Sequence, residues 1–287
     1  MVSGSVVRGD GDGWVYCADG QQRWGRFGAA GLLLRAPDPA GDPVLLLQHR
    51  AAWTHQGDRW GLPGGACNSG ETAIDTALRE AREEAGLDTG AIRVAGEQVT
   101  HPGRDDWSYT TVLADAAAPL PVTANQESAE LRWVPEPEVG GLALHPALAE
   151  SWPALRARPH TLLVDAANVV GAVPDGWWRD RAAAAERLLR RLACLGQRTV
   201  ALPGGGFGWL RRCVAVLEGV ASAAPDVAGV QVVRAPGSGD DTLAELAGRE
   251  PECLVVTADR GLRARLPADA VAVGPSTLLG WLRPHVR

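Results

Sequence analysis

The chain is predicted to be an α/β protein of two domains, and three observations lead there. Its 287 residues, 46% of them hydrophobic, are enough to build two cores of ordinary size. In the first half one amphipathic, carboxylate-rich helix lies among strand-like apolar runs, which suits helices packed on a mixed sheet. In the second half short buried strands alternate with helices, which suits a doubly wound parallel sheet. The expected domains are residues 1–157 and 160–287.

After a polar, glycine-rich start, residues 29–34 read as a strand, 36–43 as a Pro/Asp/Gly turn and 44–48 as the returning strand of a hairpin. Trp60-Gly61-Leu62-Pro63-Gly64-Gly65 cannot continue a regular element and forms a loop entering a helix. Asn68 is expected to cap that helix, with Glu71 three residues on completing a capping box. Ile74, Ala77, Leu78, Ala81 and Ala85 form its apolar side. Gly86 suits a left-handed residue after the last turn, with Leu87 folding back. Strands at 92–99, 107–113 and 129–134 and a closing helix at 145–156 complete the domain.

On the carboxylate-rich helix Glu80, Glu83 and Glu84 fall on one face, at i, i+3 and i+4. Three carboxylates so close repel one another unless a cation joins them. A hard divalent ion such as Mg²⁺ or Mn²⁺, which prefers oxygen ligands, removes the conflict. The alternative is a solvated helix in which Arg79 and Glu83 pair at i, i+4. That accounts for the charge, but not for the glycine loop and the spacing together.

Composition narrows the class. The net charge of −6 gives the whole surface no nucleic-acid footprint, although a local basic patch remains possible. Five cysteines, an odd number with no C-x-x-C, fit reduced thiols in a cytoplasmic protein. The longest apolar runs are strand-length, so neither a signal peptide nor a membrane span is expected. Eleven tryptophans stand against two phenylalanines and two tyrosines. Trp24, Trp53, Trp60 and Trp107 flank the carboxylate segment and could stack a nucleobase, while core or rim packing is the commoner use of any one.

Residues 65–87 resemble the Nudix box, G-x5-E-x7-R-E-U-x-E-E-x-G-U, where U is a bulky aliphatic residue. Gly65, Glu71, Arg79, Glu80, Glu83, Glu84, Gly86 and Leu87 fall in place, and Ala81 stands where a larger aliphatic is usual. The resemblance implies an α/β/α sandwich with a mixed sheet and hydrolysis of a nucleoside diphosphate linked to another moiety. It implies Mg²⁺ or Mn²⁺ held by Glu80, Glu83 and Glu84, with the Gly65 carbonyl as a further ligand. Arg79 would orient a glutamate, Glu71, and a second glutamate in a later loop would assist the base. Glu127 is the candidate and Glu130 its competitor. Arg50 and Arg59 could hold phosphates, or could be surface charges. Pro102 lies near where ADP-ribose-cleaving members carry a proline, so ADP-ribose-like compounds and nucleoside triphosphates are both open as substrates.

In the second half the strand at 161–164 ends in Asp165, and Asn168 follows. A helix is expected at 179–195, strands at 215–217, 230–233 and 254–257, a helix through Ala247 preceded by Ser238-Gly239-Asp240-Asp241, and a helix from 261 to 266. Asp165 and Asp259 follow strand ends, where working residues of such sheets gather, and Asp240 or Asp241 opens a helix. The pattern VDAAN…SGDD…TADRGLR resembles the PIN-like (NYN) ribonuclease domains. By that resemblance Asp165, Asp241 (or Asp240) and Asp259 would hold metal beside Asn168. Arg181, Arg187, Arg190 and Arg191 could touch an RNA backbone. The competing readings are helix caps, turn residues and a solvated arginine face, or an inactive binding or dimerisation module.

Overall fold

The computed structural model describes residues 9–18, 20–102 and 107–283. The chain divides into two compact units, Met1–Arg156 and Ala157–Arg287. Among the described residues no helix is long and apolar enough to cross a membrane, and no cysteine is bridged.

The first unit begins with a hairpin, β1 (Trp14–Tyr16) and β2 (Gln22–Trp24). Its sheet contains β3 (Ala29–Pro37), β4 (Pro43–Arg50), β5 (Trp60–Gly61) and β6 (Gly64–Ala66) before the box helix α1 (Ala73–Ala85). After it come β7 (Arg93–Pro102), β8 (Ser108–Asp115), β9 (Ser128–Pro135) and the helices α2 (Glu136–Val139) and α3 (Pro146–Leu155). The strand order is β5-β4-β3-β8-β7, with β6 on β3 and β9 on β4. Only β3 and β8 pair in parallel, so the sheet is mixed.

Strand β3 is buried along its whole length because both sheet faces are covered. Ala30, Leu32 and Leu34 pack on the side of Ala77, Ala81 and Ala85 from α1. Leu33, with Leu45 and Leu47 of β4, faces Leu148, Trp152 and Leu155 of α3. Ala81 is fully buried there; its small side chain lets α1 lie close on the sheet.

Arg35 is also fully buried. Its guanidinium makes two bonds to Glu136, at 2.8 and 2.9 Å, and one to the Leu155 carbonyl at 2.7 Å. Removing Glu136 takes two charge-assisted bonds from a buried guanidinium, so Glu136→Ala is expected to cost about 3–5 kcal/mol. Urea denaturation followed by tryptophan fluorescence checks this through the lowered midpoint of the first unit.

The expected cap is corrected. Thr72, not Asn68, caps α1, accepting from the Asp75 amide at 3.1 Å while the Asp75 carboxylate accepts from the Thr72 amide at 3.1 Å. Residues 68–71 instead form a turn, and Glu71 Oε2 accepts from the Asn68 amide at 3.0 Å. Glu71 is thereby kept outside the helix. Gly86 ends α1 at φ 65°, as its sequence position suggests.

The second unit starts with β10 (Ala157–Asp165), earlier than the strand expected at 161, because residues 157–160 extend the parallel pairing with the later β12 past a bulge. It continues through α4 (Ala166–Gly171), α5 (Arg181–Leu192), β11 (Arg198–Ala201), β12 (Phe207–Leu217) and β13 (Gln231–Arg234). It closes with α6 (Gly239–Arg249), β14 (Leu254–Val256), α7 (Arg260–Arg263), β15 (Val271–Val273) and α8 (Pro275–Trp281). The order is β11-β12-β10-β14-β15, with β13 also on β12, and every pairing but β11–β12 is parallel. Helices α4, α5 and α8 cover one face and α6 and α7 the other. The sheet is wound on both sides.

Candidate active site

Arg79 is the centre of the first unit's polar cluster. Its Nε and Nη2 grip both oxygens of Glu71 at 2.8 and 3.0 Å. Nη1 donates to Glu80 Oε1 at 2.7 Å, and Nη2 donates to the Ala66 carbonyl at 2.9 Å. This planar fork fixes Glu71 and Glu80 and ties both to the glycine loop. Glu71 titrates at about 2, chiefly through its bonds to Arg79. Glu80 is raised by burial, which outweighs the pull of Arg79.

Glu84 lies deeper, 5% exposed, and its Oε2 accepts from the Gly64 amide at 2.8 Å. Burial and then the charge of Glu80 push its carboxyl up to about 8. Glu83 is the outer member; its side chain is 59% exposed and reaches Arg79 only at 3.4 Å. Gly65 is required sterically, because a Cβ there would collide with the Glu80 carboxylate. Gly65→Ala is expected to dislodge Glu80 and lower kcat at least tenfold with little change in thermal stability, since α1 and its caps are untouched. Paired kinetics and melting curves check it.

Among the described residues no three His, Cys, Asp or Glu side chains are already arranged to hold a metal ion. Arg79, between Glu71, Glu80 and Glu83, supplies the positive charge that keeps the cluster together.

The backbone of Glu127 is held beside this nest by two bonds. Its amide donates to Asn125 Oδ1 at 2.9 Å, and its carbonyl accepts from the Ala51 amide at 2.8 Å. Asn125 N–H in turn bonds the Glu84 carbonyl at 3.3 Å. Behind them Gln48, fully buried, donates to Ser128 Oγ at 2.8 Å, and Ser128 Oγ reaches Asn125 Oδ1 at 3.2 Å. The charge of Glu127 acts on Glu84, whereas Glu130 is exposed and turned towards Arg132 at 3.8 Å. Arg50, at the end of β4, acts on Glu84 with opposite sign. Tyr109, half-buried, also lies within reach of Glu84, and burial followed by that charge raises its hydroxyl above the usual phenol range.

The NUDIX domain model matches residues 25–157. The chain is 58% identical over 160 residues to a Mycobacterium tuberculosis protein named "Putative 8-oxo-dGTP diphosphatase 3", covering 54% of this chain and 74% of that one. The chain belongs to the Nudix family. It is thus a pyrophosphohydrolase acting on phosphoric anhydrides. A Bifidobacterium longum protein named "Nucleoside triphosphate pyrophosphatase/Nudix hydrolase fusion protein" is 42% identical over 157 residues, or 53% of this chain and 32% of that one. The crystal structure of a Nudix hydrolase from M. smegmatis is similar at 54% identity, covering 50% of this chain and 91% of that one, with a TM-score of 0.48.

Two aromatic expectations for the Nudix unit change. Trp60 is buried, 8% exposed, on the α3 side of the sheet, opposite the box helix. It stacks on His49 at 4.8 Å and carries the Arg132 guanidinium at 4.5 Å, so it packs the core. The pairing of β5 with β4 sets that orientation. Trp107 donates its indole N–H to the Trp24 carbonyl at 3.3 Å, with Arg23 at 5.5 Å from its ring, so it braces the β1–β2 hairpin. The turn expected around Pro102 runs into residues outside those described.

In the second unit a cleft of about 670 Å³ is lined by Asp165, Asn168, Glu218, Asp240 and Asp259. Of the two alternatives expected here, Asp240 lines the cleft, while the Asp241 side chain is 70% exposed and pairs with Arg265 at 2.7 Å, because the first turn of α6 points consecutive residues apart. Asp165 accepts from the Asn168 amide at 2.9 Å and Thr257 Oγ1 at 3.0 Å, and Asp259 from the Leu262 amide at 2.7 Å. Both therefore cap short helices as well as facing the cleft. Burial raises Asp165 and Asp240, and Asp240 also feels Asp259 and Glu218. Glu218, which directly follows β12, was missed; an acid after a buried strand was the available signal. On α5, Arg187 pairs with Asp175 at 3.1 Å, Arg190 bonds Glu186 at 3.1 Å, and Arg181 lies 5.5 Å from the Trp177 ring.

Proposed function

We propose that the Nudix unit hydrolyses the pyrophosphate bond of a nucleoside triphosphate, with an oxidised purine nucleotide as the preferred class. The observation that carries this is the Arg79 fork, which gathers Glu71 and Glu80 against the glycine loop with Glu84 buried beside them. The name of the mycobacterial relative supports the substrate class. ADP-ribose-like compounds are the competing substrates.

Mg²⁺ or Mn²⁺ fits the donor set, which is all oxygen. Glu80 lies against a glycine that leaves room for no Cβ, and Glu84 is an acid whose ionised form is opposed by burial and by the charge of Glu80. Glu80, Glu83, Glu84 and the Gly65 carbonyl would hold the ion. Once bound, it would neutralise phosphoryl charge and lower the pKa of the attacking water. Glu127, whose backbone is held by Asn125 and Ala51, would serve as the base towards the attacking water. Arg79 keeps the glutamates in register, and Arg50 supplies positive charge for the phosphates. Glu127→Gln is expected to lower kcat about 10²-fold or more, and Glu130→Gln to leave it unchanged.

Product analysis by mass spectrometry tests the substrate class. The panel is dGTP, 8-oxo-dGTP, ADP-ribose, a dinucleoside polyphosphate and a short single-stranded RNA, with Mg²⁺ or Mn²⁺. Preferential conversion of 8-oxo-dGTP to the monophosphate is expected. Turnover of ADP-ribose alone, or of no nucleotide, overturns the reading.

A second reading concerns the other unit, which we infer to be PIN-like. The cleft with Asp165, Asp240, Asp259 and Glu218 favours metal-dependent RNA cleavage over an inactive binding module. Asp259→Asn is expected to abolish cleavage of single-stranded RNA. Absence of cleavage by the wild-type protein would make this half a binding module.

A further inference from the structure

The β1–β2 hairpin exposes an aromatic face, of which the sequence singled out only Trp24 as a partner for a nucleobase. Trp14 and Trp24 are cross-strand partners, 44% and 39% exposed, with rings 5.3 Å apart at 73°. His55, from the loop after β4, meets Trp14 at 5.0 Å and 79°. Edge-to-face contacts of this kind leave flat ring surface open. Val15 and Arg23 lie on the hairpin's other face, where Arg23 contacts Trp107 and His101. The hairpin thus has one braced face and one open face.

The hairpin is tied to the catalytic nest from two sides. On one side Gly11 N–H donates to Asn68 Oδ1 at 3.3 Å, and Asp10 accepts from the Ser69 amide at 3.0 Å. The Cys67 amide donates to the Gly28 carbonyl at 3.0 Å. The hairpin is therefore fastened to the same loop whose Ala66 carbonyl receives Arg79. On the other side the His55 carbonyl accepts from Arg50 Nε at 3.3 Å, and Arg50 is the cation that acts on Glu84.

We propose that Trp14 and Trp24, with His55, form the base-binding platform of the Nudix unit. They would take the flat purine ring while the phosphates reach Arg50 and the glutamates. This rests on the nucleotide reading above and names the residues that would recognise the base. A single nucleobase is the occupant to which the observations commit: the platform is three rings wide, and His55 is tied to Arg50, a group suited to phosphate.

The test uses the full chain with Trp14→Ala, Trp24→Ala and the ring-conserving Trp14→Phe. Steady-state kinetics with dGTP and 8-oxo-dGTP are read beside inhibition by inorganic tripolyphosphate, which has phosphates and no base. Either alanine variant should raise KM about 10- to 100-fold with kcat nearly unchanged. Tripolyphosphate inhibition should stay constant, and Trp14→Phe should recover most of the loss. Trp178→Ala, an exposed tryptophan of the other unit, is the unaffected control.

An unchanged KM overturns the proposal, and so does an equal loss of tripolyphosphate affinity. If Trp14→Ala instead converts a dimer to a monomer by light scattering at constant KM, the face serves self-association and the proposal also fails. Should the wild-type protein hydrolyse no nucleotide, quenching of tryptophan fluorescence by dGTP still decides the matter. Quenching that disappears in Trp14→Ala supports the platform, and no quenching in any variant refutes it.

Discussion

Replacing Glu84 with glutamine is expected to stabilise the metal-free protein above pH 8 and to lower kcat by about 10³-fold. Both effects come from one buried carboxyl. In the unfolded chain Glu84 titrates at the ordinary 4.5, and in the folded unit at about 8. Between those values the folded state holds the extra proton, so stability falls as pH rises from about 4.5 to 8. Above pH 8 the fold bears the whole penalty, about 5 kcal/mol as an order of magnitude. Glutamine cannot ionise and can still accept from the Gly64 amide, so the variant escapes the penalty. A divalent ion at the proposed site would relieve it in the wild type. The melting temperature should therefore rise more with Mg²⁺ at pH 9 than at pH 6, and this difference should vanish in Glu84→Gln. A Mg²⁺ response independent of pH would show that Glu84 does not meet the ion.

Arg79→Ala should have the other large effect. It removes two bonds to Glu71, one to Glu80 and one to the Ala66 carbonyl, and leaves the two carboxylates facing each other. With the arginine partly exposed, a stability loss of about 2–4 kcal/mol is expected, with kcat lowered at least 10²-fold. Arg79→Lys should rescue little, because an ammonium cannot bridge Glu71 with a bidentate fork. Glu71 reports the change directly. Its depressed pKa contributes stability above about 4.5 that is lost as pH falls towards about 2, so the variant should lose this segment of its acid unfolding curve. The carboxyl resonance of Glu71, followed by NMR, should move back towards the ordinary glutamate range.

The box was legible because its chemistry lies in local spacing. Glu80, Glu83 and Glu84 share a helical face whatever the rest of the chain does, and the left-handed glycine ends the helix where the sequence marks it. The helix start was misplaced because Asn68 and Thr72 both lead plausible caps, and only the pairing of Glu71 with Arg79 separates them. Non-local features were not readable. Gln48 looks like the polar end of a strand, and its link through Ser128 to the Glu127 turn spans 80 residues. Trp60 seemed available to a substrate until strand pairing turned it to the far side of the sheet. In the second unit most of β12 was missed because Gly208, Arg211 and Arg212 interrupt its apolar pattern. Neither Asp240 nor Asp241 could be preferred until the first turn of α6 fixed which one faces the cleft.

Hydrolysis of a nucleotide is proposed to rest on the glutamates gathered around Arg79. Its most direct test is the turnover of 8-oxo-dGTP at saturating Mg²⁺ by the wild-type chain and by Glu84→Gln, with monophosphate production followed over time. Steady production by the wild type and a loss of about 10³-fold in the variant are expected, with the fold intact by circular dichroism. Equal rates in the two proteins would contradict it and place the activity elsewhere in the chain.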